Sequence, residues 1–418
     1  MSTIKHKTAL VLAGGGLTGA VYEIGALRAI DDLLVDRTVN DFDIYVGTSA
    51  GAFVASFIAN GISPESMMQA IQGAKSDLQP IRRNNVFDIN WREYLRWGVK
   101  VPPKIVAAWC YFIRNFNDMT LFDLFWSFSE TLPSGFFEGE GLSRFIQQGF
   151  SQLNCTDNFY DLDREMFIIA TDLDTGKRAI FGNGYLNAPI SKAVAASSAF
   201  PVVYKPVRID DHEYIDGGLR GTASIDLAIE RGAKLIVCIN PLVPFNNQNR
   251  DCIPFINKRG GYLSGKGVPS ITNQTIRIMS HSSLHYHLKQ TQRANPDVDI
   301  ILIEPRSEDY QMFFCDIMRY STRLIVAKHG FETVSWNIAV DYKNYRDILT
   351  RHGIPISQLL ISREIAEMES SNFDPLVIRE ILEARSSHCG QLRNQSPICQ
   401  LNRALAELDL VLDNFTQA

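Results

Sequence analysis

Twice within its first 60 residues the chain passes from a short apolar strand through a glycine turn into a helix. Lys7 to Ala13, KTALVLA, is apolar and runs into Gly14-Gly15-Gly16. Ala20 to Leu34 then carries apolar residues at helical spacing (Val21, Ile24, Leu27, Ile30, Leu34), with acids on the other side. Asp43 to Val46 is a second short strand, followed by Gly47-Thr48-Ser49-Ala50-Gly51 and a helical stretch, Ala52 to Ala59. A short apolar run closed by glycine is a buried strand, and strand alternating with helix is the pattern of an α/β sandwich. Further strands are expected at Met166–Thr171, Arg178–Phe181, Leu235–Asn240 and Asp299–Ile303, with helices at Ser191–Ser198 and Ser224–Arg231. The turn TDLDTGK makes 166–181 a hairpin. Residues 246–269 read as a long surface loop, and from about Tyr310 the pattern is mostly helical, ending in an amphipathic segment at Leu401–Phe415.

Composition narrows the function. A chain of 418 residues can bury a large core without disulfide or metal staples. A net charge of −5 argues against a nucleic-acid partner, which needs a basic face. It also leaves contact with a membrane surface to apolar side chains. The seven cysteines are scattered and form no C-x-x-C pair, as expected of reduced thiols. No signal-peptide core follows MSTIKHK and no run is long and apolar enough to span a bilayer, so a cytoplasmic protein is expected.

Three short motifs carry chemistry. Gly47-Thr48-Ser49-Ala50-Gly51 has the form G-x-S-x-G. A sharp strand-to-helix turn presents a nucleophilic serine hydroxyl, and the small flanking residues let strand and helix pack closely. Alternatively, Ser49 only caps the helix. Gly14-Gly15-Gly16-Leu17-Thr18-Gly19 fits either a backbone cradle for an oxyanion or, through Gly14, Gly16 and Gly19, the dinucleotide fingerprint. The second strand ends in Gly-Thr-Ser-Ala-Gly and not in the carboxylate that a dinucleotide site wants, which favours the oxyanion cradle. Asp216-Gly217-Gly218 follows the strand-like run His212 to Ile215. It is either the base for Ser49, if desolvated beside it, or an ordinary turn.

Taken in order, these pieces resemble the patatin-like phospholipase family: a glycine-rich loop, then G-x-S-x-G, then a small-residue segment with prolines (here Ala195 to Pro201, continuing to Pro206), then D-G-G. The run TDLDTGKRAIF at 171–181 is similar to the family's hairpin, and KHGFETV near 335 to its closing helix. The resemblance implies a three-layer α/β/α sandwich with a mostly parallel central sheet. It implies a Ser–Asp dyad with Ser49 as nucleophile and Asp216 as base, and an oxyanion hole at Gly14, Gly15 and Gly16. Gly19, Gly47, Gly51, Gly217 and Gly218 support these motifs, and no metal or other cofactor is implied. The implied substrates are phospholipids or lysophospholipids, with peripheral contact at membranes. Thr18 stands where the family usually has Arg or Lys, which bears on substrate preference and loop rigidity.

A catalytic domain over 7–335 and a helical extension over 336–418 are expected. Residues 78–137 are unusually aromatic (Trp91, Trp97, Trp109, Phe112, Phe125, Trp126), which reads as a helical cap or as a packed subdomain. His281 and His285 lie one helical turn apart, but neither H-E-x-x-H nor a third ligand is evident nearby, so a structural role is expected. A nucleotide-dependent oxidoreductase and a catalytically silent lipid- or partner-binding scaffold are the competing functions.

Overall fold

The computed structural model describes residues 6–72, 88–89, 110–115, 118, 120, 133–248, 261–309, 312–313, 322–372 and 374–383. At its centre lies an eight-stranded sheet. Its main path runs β11 (Asp299–Ile303), β10 (Ala233–Ile239), β1 (Lys7–Leu12), β2 (Ile44–Thr48), β5 (Glu165–Asp172), β9 (His212–Asp216) and β8 (Val207–Ile209). The strand β6 (Arg178–Gly182) pairs with β5 off that path. From β11 to β5 all pairs are parallel, whereas β6, β9 and β8 join antiparallel. The expected hairpin is therefore formed by β5 and β6.

Why the strands read as unbroken apolar runs follows from burial on both faces. Leu10 and Leu12 point into one core with Tyr45, Ile168 and Val237. Ala9 and Val11 point into the other with Val46, Ile169 and Cys238. The first core is closed by α1 (Gly16–Leu33), α2 (Ala50–Ala59), α4 (Glu140–Gln152) and α5 (Ile190–Ser197), numbering α3 as Pro64–Gln72. The second is closed by α6 (Ile225–Glu230) and α7 (Val268–Ala294). This is the expected three-layer arrangement. A small second sheet of β3 (Asp88–Ile89), β4 (Gly135–Glu138) and β7 (Val202–Tyr204) was not legible as strands. The aromatic segment 78–137 lies largely outside the described residues, as does 401–415.

Helix α1 is enclosed on its acidic side as well as its apolar one. Its acids do not face water: Glu23, Asp31 and Asp32 are buried, as is Arg28. The reason is a further helical layer of α8 (Arg323–Val340), α9 (Tyr342–Arg351), α10 (Leu359–Ser370) and α11 (Pro375–Glu383). Val334, Ile338, Ile361, Met368 and Ile378 join the same core as Leu27 and Ile30. Arg28 pairs with Asp32 one turn on and reaches Glu364 of α10 at 3.5 Å. A helix enclosed on all sides must neutralise its charges internally. Among the described residues no helix is long and apolar enough to cross a membrane.

Helices α1 and α8 approach closely enough that only glycine fits at the contact. A Cβ on Gly25 would lie 2.3 Å from the Ala327 carbonyl oxygen and 2.9 Å from the Phe331 nitrogen. Alanine at a helical glycine gains roughly 1 kcal/mol in propensity, but overpacking against backbone costs about 1–3 kcal/mol. Gly25→Ala should therefore lower the Tm, while Gly265→Ala, with nothing within 4 Å of its Cβ position, should leave it nearly unchanged. Thermal unfolding of both variants checks this; an unchanged Gly25→Ala would contradict the tight contact.

Candidate active site

Register brings the distant motifs together. In the parallel ladder Leu12 pairs with Gly47 and Thr48 with Ile169, while in the antiparallel ladder Ala170 pairs with Asp216. The ends of β1, β2 and β9 thus lie level at the carboxyl edge of the parallel strands, where α/β sheets bind their ligands.

Ser49 occupies the turn between β2 and α2 with φ 53° and ψ −119°, a conformation that L residues seldom adopt. Such a conformation costs on the order of 1–3 kcal/mol and persists only where its surroundings impose it. Close packing imposes it here: a Cβ on Gly47 would lie 2.5 Å from Ala52 Cα, and one on Gly51 2.3 Å from the Leu12 carbonyl oxygen. The Ser49 amide donates to Ser197 Oγ at 2.7 Å, and Ser197 Oγ donates to the Ile169 carbonyl at 2.5 Å. Ser198 Oγ donates to the Ser49 carbonyl at 3.3 Å. The serine side chain does not cap α2. Its Oγ donates instead to Asp216 Oδ2 at 2.6 Å.

Asp216 is 4% exposed. Its second oxygen, Oδ1, accepts the Gly218 amide at 2.7 Å, so the aspartate both shapes its own turn and faces the serine. The Asp216 amide donates to the Ala199 carbonyl at 3.0 Å, and its carbonyl accepts Thr171 Oγ1 at 3.0 Å. Gly217 has no room for a side chain, since a Cβ there would lie 2.1 Å from the Ile169 carbonyl oxygen. Burial pushes the Asp216 carboxyl up to about 6 against the opposing hydrogen bonds from Ser49 and Gly218. Among the described residues no histidine hydrogen-bonds to Ser49 or Asp216.

The glycine loop sits beside this pair, a Cβ on Gly14 falling 3.4 Å from Ser49 Cβ. The Gly14 amide, expected to face an oxyanion, already donates to the Thr222 carbonyl at 3.1 Å because the backbone continues the strand edge there. Gly15 and Gly16, at the start of α1, have no such backbone acceptor among the described residues. Gly16 has φ +61°, and a Cβ on Gly15 would meet Pro241 Cγ at 2.5 Å. Gly19 approaches the same proline. Thr18 is buried.

Ser49, Asp216 and Gly14 to Gly16 line a cavity of about 540 Å³ whose walls are largely apolar, including Leu17, Val21, Ile24, Phe53 and Phe145. Arg220 and Arg323 also border it. Arg323 is engaged with the Ile71 carbonyl at 3.0 Å, while Arg220 is exposed. On the far side of β1, His281 and His285 meet Glu304, the third ligand-bearing residue that spacing alone did not supply. In the sequence Ser197 and Ser198 stand only within a small-residue segment, and their consecutive hydroxyls are the local signal of their role beside Ser49.

A family model described as patatin-like phospholipase matches residues 10–229. The chain is 26% identical over 212 residues to the uncharacterized protein R571 of Acanthamoeba polyphaga mimivirus, covering 50% of this chain and 57% of that protein. It is 20% identical over 235 residues to the probable lipid hydrolase 463L of Invertebrate iridescent virus 6, covering 54% and 64%. Among solved structures it is similar to VipD from Legionella pneumophila, with a TM-score of 0.34, 15% identity, and coverage of 79% of this chain and 66% of that one. The chain therefore spans less than two thirds of the length of each of these proteins.

Burial of the Asp216 carboxyl links stability to pH. The folded value, about 6, lies above roughly 3.9 in an unfolded chain, so the fold favours the neutral carboxyl. The stability it contributes is complete below about pH 4 and is lost as pH rises through about 6. Asp216→Asn should therefore raise the Tm relative to wild type at pH 7.5, by on the order of 1–3 kcal/mol in stability, and the difference should vanish near pH 4. Parallel melts at the two pH values test it; a variant destabilised at neutral pH would contradict the buried-charge reading.

Proposed function

The chain belongs to the patatin-like phospholipase family, and from that premise we propose that it hydrolyses fatty-acyl esters of phospholipids or lysophospholipids through Ser49 and Asp216. The observation that carries this reading is the 2.6 Å bond from Ser49 Oγ to the buried Asp216 carboxylate at the wall of an apolar cavity. The iridescent-virus relative, named a probable lipid hydrolase, supports the substrate class. The carboxylate that a dinucleotide site would want at the end of β2 is absent, since Ser49 stands there.

In this reading Asp216 Oδ2 takes the Ser49 proton as Oγ attacks the ester carbonyl. The carbonyl oxygen becomes an oxyanion, and the Gly15 and Gly16 amides, with the amino-terminal end of α1, offer it positive charge. Collapse of the tetrahedral intermediate breaks the ester bond. The departing alkoxide receives the proton held on Asp216, leaving the acyl group on Oγ. Water, deprotonated by the same carboxylate, then attacks the acyl carbonyl, and the fatty acid leaves as Ser49 recovers its proton. A cavity of this size and polarity suits an acyl chain. Exposed Arg220, two residues beyond Gly218, is placed to meet a headgroup phosphate in the role left open by Thr18. The long helix α7 carries no acidic residue and exposes Ile271, Ile278, Met279 and Tyr286, which suits approach to a lipid surface.

Fatty-acid release from mixed phospholipid vesicles and from a lysophospholipid tests this directly. Wild type should release fatty acid with a rate rising through about pH 6 as the base ionises. Ser49→Ala and Asp216→Asn should each lose about 1,000-fold or more. Arg220→Ala should raise KM for phosphate-bearing substrates more than for an uncharged p-nitrophenyl ester. Activity that persists in Ser49→Ala would overturn the mechanism.

A further inference from the structure

Helix α7 runs past the carboxyl ends of β10 and β11 with His281 and His285 on one face, four residues apart. Glu304 follows directly on β11. Its Oε2 lies 3.0 Å from His285 Nε2 and 3.7 Å from His281 Nε2. The three candidate ligand atoms all fall within 4.8 Å of one another, and the two imidazole rings lie side by side with centroids 4.0 Å apart. Four ligands placed about 2.0–2.1 Å from a tetrahedral ion are separated from each other by about 3.3 Å. The two nitrogen–oxygen separations bracket that edge.

What holds the carboxylate argues for more than a surface ion pair. Fully buried Asn240, at the end of β10, donates Nδ2 to Glu304 Oε1 at 2.6 Å. Its own Oδ1 accepts the Leu242 amide at 3.2 Å, which fixes the orientation of the side chain. Oε1 is thus held by Asn240 while also lying 3.3 Å from His285 Nε2, and Oε2 faces both imidazoles, so a buried outer partner orients the carboxylate toward the two rings as for a ligating carboxylate. A single hydrogen bond would need one imidazole, whereas both rings face the same carboxylate. A shared cation satisfies all three groups. The histidine side chains are 25% and 34% exposed, which leaves a path for an ion and room for a water ligand.

We propose that His281, His285 and Glu304 bind a divalent transition-metal ion of the zinc type, with water completing a tetrahedron. The ion would tie α7 to the sheet. Ser280 and Ser283, neighbours of these histidines, line the Ser49 cavity, so metal loading would fix one wall of it. Metal content is read independently of the acyl chemistry at Ser49.

The full-length protein, stripped with a chelator, loaded with Zn²⁺ and desalted, is analysed by inductively coupled plasma mass spectrometry; a Co²⁺-loaded sample is examined by visible absorption. About one ion per chain and the ligand-field bands of four-coordinate cobalt are expected. The His281→Ala/His285→Ala double variant should lose both signals, while His6→Ala and His287→Ala should retain them. Glu304→Gln keeps the side-chain volume and an acceptor for Asn240, and should bind at least 10-fold more weakly. Asn240→Ala should weaken binding about 10–100-fold. Wild type that retains no metal, or a Glu304→Gln variant with unchanged affinity and cobalt spectrum, would overturn the proposal.

Discussion

The candidate site depends on a carboxylate, Asp216, that is buried to 4% exposure and accepts, among the described residues, the Ser49 hydroxyl and the Gly218 amide. Both donors matter to the architecture. Gly218 closes the turn that lets the chain leave β9, and Ser49 places β2 and β9 at fixed separation across β5. The position of Asp216 therefore depends on register in two ladders, since a one-residue slip of β9 would turn its side chain to the other face. Ser49 is held by equal constraint. Its backbone is strained, and the strain is sustained by two glycines that admit no Cβ and by the Ser197 hydroxyl bound to its amide. The same packing that forces the turn also presents the hydroxyl.

The second constraint is electrostatic and lies one layer out. Helix α1 follows the glycine loop, shares a core with the strand residues Leu10, Leu12 and Tyr45, and packs against α2, α3, α8 and α10. Enclosed this way, Arg28 and Asp32 must satisfy each other, with Glu364 contributed from far along the chain. Burial raises the Glu364 carboxyl, and nearby Asp32 adds to the effect. Removing one member of such a group exposes the others to the full cost of an unpaired buried charge, several kcal/mol. The helices after residue 340 thus bear on the loop that faces Ser49, although none of them lines the cavity.

What could be read from sequence was what local pattern encodes. The strands expected at Lys7–Ala13, Asp43–Val46 and His212–Ile215 form within two residues of those ends, because apolar runs closed by glycine mark them, and the three-layer sandwich follows from their alternation with helices. What the acids of α1 meet was not legible, because an amphipathic pattern does not say whether the polar face meets water or a partner helix. Ser197 and Glu304 were not legible as partners because the contacts that define them are long-range: Ser197 meets the Ser49 amide 148 residues away, and Glu304 meets a histidine on a preceding helix. Gly14 was expected to offer its amide to a ligand, but only the fold shows that amide already committed to Thr222.

The central claim, that Ser49 becomes acylated with Asp216 as its base, is tested most directly by intact-protein and peptide mass spectrometry of samples acid-quenched during turnover of a slowly hydrolysed ester. The account predicts an acyl adduct on Ser49 in wild type, decaying once substrate is exhausted, and no adduct in Asp216→Asn. An adduct on any other residue, or turnover with no adduct at Ser49 under conditions where deacylation is rate-limiting, would contradict it.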